Sequence, residues 1–60
     1  MKFIEIPFKN YVIRVDRIEE VYLNGVYIVF KLNGERLEFS FDEPSQSSLV
    51  FRQIASQIAQ

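Results

Sequence analysis

From Glu20 to Asp42 the chain reads EVYLNGVYIVFKLNGERLEFSFD, with Asn-Gly twice, at Asn24-Gly25 and Asn33-Gly34, each flanked by alternating apolar residues. A period of two is the signature of strands with one buried face. Asn-Gly accepts positive φ at both central turn positions, so it predicts type I′ turns between antiparallel strands. A two-residue loop at Asn33-Gly34 pairs Leu32 with Glu35, Phe30 with Leu37, Ile28 with Phe39 and Val26 with Phe41. A second loop at Asn24-Gly25 pairs Leu23 with Val26, Tyr22 with Tyr27 and Val21 with Ile28. Both registers put Val26, Ile28, Phe30 and Leu32 on one face, and a slip of one residue would destroy that agreement. The stretch is expected to be a three-stranded meander.

Upstream, Lys2 to Phe8 also alternates, with Ile4, Ile6 and Phe8 on one face and Phe3, Glu5 and Pro7 on the other. Pro7 cannot donate to a ladder, which suits an edge strand near its end. A turn at Lys9-Asn10 would set Phe8 against Tyr11, Ile6 against Ile13, Ile4 against Val15 and Glu5 against Arg14. Val15 to Ile18 breaks the alternation, and Asp16 favours a tight bend or a single helical turn there. Ile18 and Val21 are then both expected to point inward.

Downstream, Asp42-Glu43-Pro44-Ser45 closes the last strand and opens a helix. Acidic groups suit the positive helix end, Pro suits its first turn, and Ser is a good cap. Val50, Phe51, Ile54, Ala55 and Ile58 recur at helical spacing and form one apolar stripe. A helix of about four turns is not stable alone in water, so the stripe must lie on the sheet.

These elements predict one α+β domain spanning 1–60, a five-stranded antiparallel sheet curled around a C-terminal helix. Its expected core is Ile4, Ile6, Ile13, Val15, Ile18, Val21, Ile28, Phe30, Leu37, Phe39, Phe51, Ile54 and Ile58. A meander closed by one final helix resembles a reduced pleckstrin-homology-like arrangement. The resemblance is topological, rests on no motif, and implies no ligand or site residue.

Composition narrows the chemistry. Sixty residues with 48% hydrophobic content support one small core. There is no Cys and no His, which removes thiolate sites and the commonest general base and metal ligand. No Gly-rich phosphate loop or nucleophile elbow occurs, so no catalytic, cofactor or metal site is expected, nor a small-molecule substrate. The pairs Glu19/Glu20 and Asp42/Glu43 divide their oxygens between faces or serve the helix start. A net charge of −1 argues against a general attraction to nucleic acid or anionic membrane. No apolar run reaches the ~20 residues that span a bilayer, and Met1-Lys2 leads straight into a strand. The chain reads as soluble and cytoplasmic.

Binding remains, on three candidate surfaces. Tyr22, Tyr27 and Val29 share the outer face of the meander, with Phe3 adding to it, and suit another protein or a second copy in a homodimer. On the same face Lys31 and Arg36 lie opposite each other beside the tyrosines, which suits single-stranded nucleic acid. Glu20 and Glu38 dilute that field. Gln46, Gln53, Gln57 and Gln60 form a neutral amide row on the helix, which costs little to desolvate against a partner.

Overall fold

The computed structural model describes residues 2–60. Its strands are β1 (Phe3–Ile6), β2 (Tyr11–Arg14), β3 (Ile18–Asn24), β4 (Tyr27–Leu32) and β5 (Glu35–Ser40), followed by helix α1 (Pro44–Ala59). The α+β class and the order of elements follow the sequence pattern. The single five-stranded sheet does not. There are two antiparallel sheets, β1-β2 and β3-β4-β5. The division lies at Val15–Arg17, a 3₁₀ turn closed by the Ile18 N–H donating to the Val15 carbonyl. This corner carries the chain from one layer to the other, and β2 forms no ladder with β3 or β5.

The β4-β5 register is the expected one, with Leu32 opposite Glu35, Phe30 opposite Leu37 and Ile28 opposite Phe39. The Phe41 N–H donates to the Val26 carbonyl at 2.9 Å and extends the ladder. The β3-β4 register lies two residues from the expected one. Asn24 faces Tyr27, Tyr22 faces Val29, and Val21 faces Phe30. A slip of two preserves every side-chain face, so the inner surface of the meander keeps its composition. Neither turn is type I′, since φ is positive at Gly25 (63°) and Gly34 (78°) but not at Asn24 or Asn33. Gly25 takes the first central position, with the φ sign of a type II′ turn, and Gly34 the second, as in type II. A bulge between Ile18 and Glu20 lets Ile18 and Val21 both reach the core despite their spacing of three.

The first hairpin also sits two residues from its expected register. Ile4 faces Ile13, Ile6 faces Tyr11, and Phe3 faces Arg14, leaving Pro7-Phe8-Lys9-Asn10 as the loop. The Lys9 N–H donates to the Ile6 carbonyl at 3.2 Å, with Pro7 and Phe8 between them. Proline sets the first central position of this turn, and Phe8 takes the left-handed second position with φ 70°. Phe8 is therefore not a core residue; it is 76% exposed. Glu5 faces Val12, and Arg14 instead forks onto the Asp16 carboxylate, with Nε to Oδ1 at 3.1 Å and Nη2 to Oδ2 at 2.7 Å.

Helix α1 starts at Pro44 with Glu43 as its flanking residue, so Ser45 lies inside the first turn rather than at the cap. The Gln46 and Ser47 N–H groups both donate to the Glu43 carbonyl at 3.1 Å. Val50 and Ile54 are buried, Phe51 and Ile58 pack beside them, and Ala55 lies outside the stripe in solvent. All thirteen expected core residues belong to the one apolar cluster, which adds Leu32, Phe41 and Val50. Edge-to-face rings run through it: Phe39 stands 5.8 Å from Phe30 of the same sheet and 5.4 Å from Tyr11 of the other, centroid to centroid.

Candidate interaction surfaces

Backbone pairing decides which strand edges are free. The Val15 N–H donates to the Lys2 carbonyl at 2.9 Å, so Lys2–Val15 is a hydrogen-bonded pair. In an antiparallel ladder such pairs alternate, making Ile4–Ile13 and Ile6–Tyr11 bonded as well. Phe3 and Glu5 of β1, and Val12 and Arg14 of β2, therefore turn their backbone groups outward. On the β1 side this edge is closed at Glu5 by a side chain. The Glu5 N–H donates to Gln57 Oε1 at 3.0 Å, and Gln57 Nε2 donates to the Glu5 carbonyl at 3.0 Å. The primary amide reproduces the donor and acceptor of a neighbouring peptide group. Lys2 Nζ strengthens the junction by donating to the carbonyls of Ile58 (3.2 Å) and Gln60 (2.7 Å) at the helix C-terminus. The upper layer thus runs α1–β1–β2.

Nothing closes the other side. Among the described residues the Val12 N–H and carbonyl have no hydrogen-bond partner in the chain. Beside this edge opens a cleft of about 260 Å³, with Tyr11, Val12 and Arg14 on one wall and Glu35 and Leu37 on the other. Arg17 reaches across its mouth to Glu35 at 3.7 Å. On the outer face of the hairpin Val12 (55% exposed) and Phe3 (52% exposed) lie diagonally across the ladder.

No family model matches the chain, and no curated protein or solved structure is similar to it.

The surfaces expected from sequence are placed differently. Tyr27 is 46% exposed and Tyr22 half-buried, but Val29 between them is 1% exposed and offers a partner no area. Tyr22 lies opposite Val29 instead of Tyr27, and Phe3 belongs to the other sheet. Lys31 and Arg36 do face each other. Each already has a carboxylate on that face, Lys31 with Glu20 at 3.9 Å and Arg36 with Glu38 at 2.9 Å. The glutamine row is divided by function: Gln57 closes the β1 edge, and Gln46 accepts the Asp42 N–H at 3.2 Å. Only Gln53 and Gln60 remain exposed.

Two features were missed in the sequence. The run Tyr11-Val12-Ile13 is apolar without alternation, the signal of a strand with two apolar faces. Ser47, on the apolar side of the helix, is fully buried, its hydroxyl within reach of the carbonyls of Gly25 (2.8 Å) and Pro44 (3.0 Å). That contact ties the helix start to the β3-β4 turn. The hydrogen bond from Arg14 holds the Asp16 carboxyl below the ordinary aspartate value.

Proposed function

We propose that this protein is a small non-catalytic interaction module that binds another protein or a second copy of itself, using the N-terminal hairpin. The observation that carries this reading is the coincidence of an unpaired β2 edge with exposed Phe3 and Val12 beside it. Main-chain groups of an edge strand supply hydrogen bonds, and adjacent apolar side chains supply area and register. The paired state of Lys31 and Arg36 favours a protein partner over nucleic acid, because phosphate would have to displace Glu20 and Glu38 from those cations.

The test is affinity capture with the tagged chain at two salt concentrations, with nuclease, comparing the parent with Phe3→Ser/Val12→Ser. Protein, including untagged copies of the chain, should be retained by the parent and lost by the variant. Nuclease should change nothing. Retained nucleic acid that salt releases, with no protein dependent on Phe3 or Val12, would contradict the reading.

A further inference from the structure

The edges of this fold are unequally protected, and the inequality identifies an interface. The β1 edge is covered at Glu5 by the Gln57 amide, lies beside α1, and is followed at once by Pro7. The β3 edge is distorted at its start by the bulge between Ile18 and Glu20, is regular from there to Asn24, and has α1 packed against the same strand. The β5 edge turns outward the backbones of Arg36, Glu38 and Ser40, because Phe41 bonds Val26 and the ladder alternates from there. Its charged residues Arg36 and Glu38 are ion-paired beside that edge. Proline, bulges, charges and side-chain covers are the usual devices that stop strand edges from pairing. At its centre, Tyr11-Val12-Ile13, β2 has none of them, and Arg14 at its end is engaged by Asp16.

We infer that β2 pairs antiparallel with β2 of a second copy about a two-fold axis at Val12, giving a continuous β1-β2-β2-β1 sheet. This deepens the proposed function and rests on it, and it commits the partner to a second copy. The argument for self-pairing is complementarity. Outward-facing backbone groups alternate with inward ones, so only registers that join even-numbered residues bring outward groups together. With Val12 opposite Val12 of the partner subunit, the two residues exchange both of their backbone hydrogen bonds. The same register sets Tyr11 opposite Ile13 of the partner subunit, and the converse.

Each inner row then reads Ile4, Ile13, tyrosine, isoleucine across the junction, without a charged member. The outer row places the two Val12 side chains together between the two Glu5 residues, an apolar centre with a charged rim. An isologous contact of this kind closes at two copies and does not propagate. Propagation through this sheet would need its other edge, and α1 lies beside β1 with Gln57 bonded to Glu5.

The test uses the full chain. In a light-scattering concentration series the parent mass should rise from 7.1 kDa to twice that value. Val12→Asp places like charges face to face across the axis but leaves an exposed residue exposed in the monomer. It should stay monomeric over the same range, with the circular dichroism of the parent. Because the chain has no cysteine, Val12→Cys supplies an independent trap. It should close to a disulfide-linked dimer on air oxidation, while Tyr27→Cys should not. A parent that is monomeric to millimolar concentration, or a dimer that survives Val12→Asp, overturns the inference. Capture of another protein through Phe3 and Val12 by a monomeric parent would overturn self-pairing and leave the interaction reading standing.

Discussion

Ser47 and Phe8 each work against their ordinary residue type. Ser47 is a hydroxyl in an apolar core, tolerated because its proton reaches a carbonyl. Ser47→Ala leaves the Gly25 carbonyl without that donor and should cost about 1 kcal/mol. In a domain of this size that lowers the melting midpoint by roughly 4–8 °C. Phe8 does the opposite. It holds a left-handed φ of 70°, in a conformation that a bulky side chain adopts at a cost of about 1–2 kcal/mol. Since it is 76% exposed, little packing is lost on replacing it. Phe8→Asn should therefore raise the melting midpoint, because asparagine accepts that conformation. A lowered midpoint would show that the ring contributes to the folded state.

Asp16 supplies the pH dependence. Its carboxyl titrates below the ordinary aspartate value because Arg14 stabilises the charged form. A depressed folded-state pKa stabilises the fold above the unfolded-state pKa, and the contribution is lost as pH falls through the folded one. The Asp16→Asn variant should thus melt slightly below the parent at neutral pH and converge with it in acid. The difference should be small, because the pair is solvated. A gap that widened toward acid would reverse the assigned sign.

The strands, turns and helix show what the sequence makes legible and why. The meander and its inner face were readable because side-chain facing has period two, so that the two Asn-Gly turns put Val26, Ile28, Phe30 and Leu32 on one face although Val26 to Phe30 is apolar throughout. Register was less readable for the same reason. A slip of two changes no face, so the alternation could not distinguish Val21 opposite Ile28 from Val21 opposite Phe30. The turn glycines decided it locally, Gly25 by taking the first central position and Gly34 the second. A Cβ at either glycine would meet nothing within 4 Å, so substitution is costly through backbone conformation alone. Gly34→Val should destabilise by about 2 kcal/mol in thermal melts, whereas a D-alanine introduced there by chemical synthesis should be tolerated. Equal losses from both would place the cost in packing instead.

Helix α1 was equally legible, since Val50, Phe51, Ile54 and Ile58 mark its buried side. Ile54→Asp should cost about 3 kcal/mol or more and abolish a cooperative melt, for it places an unpaired carboxylate where exposure is zero. The division into two sheets was hidden. It depends on the corner at Val15–Arg17, and a break in alternation marks a corner without giving its direction. The Gln57 bond to Glu5 was hidden too, because it joins residues 52 positions apart.

On the scale of the whole molecule these pieces form a layered domain in which helix and hairpin make the upper layer, α1–β1–β2, over the meander. At one end of that layer α1 meets β1, joined at Glu5 by a side-chain amide, and the other ends in bare backbone at Val12. The candidate surface follows from this asymmetry, which no local pattern contains. Tyr22, Tyr27, Lys31 and Arg36 looked functional because exposed aromatics beside cations can be counted along a strand. Val12 did not, because a lone valine acquires meaning only when its neighbour in space is missing.

Amide hydrogen exchange, resolved by residue at low and high protein concentration, reads that asymmetry directly. The Glu5 N–H should exchange slowly at both concentrations, held by Gln57. The Val12 N–H should exchange quickly in dilute solution and slowly in concentrated solution, where a second copy accepts its hydrogen bond. A Val12 amide that is already protected in dilute solution would mean that the edge is paired within the chain. One that stays unprotected at every concentration would mean that no second copy pairs there. Either result contradicts the account.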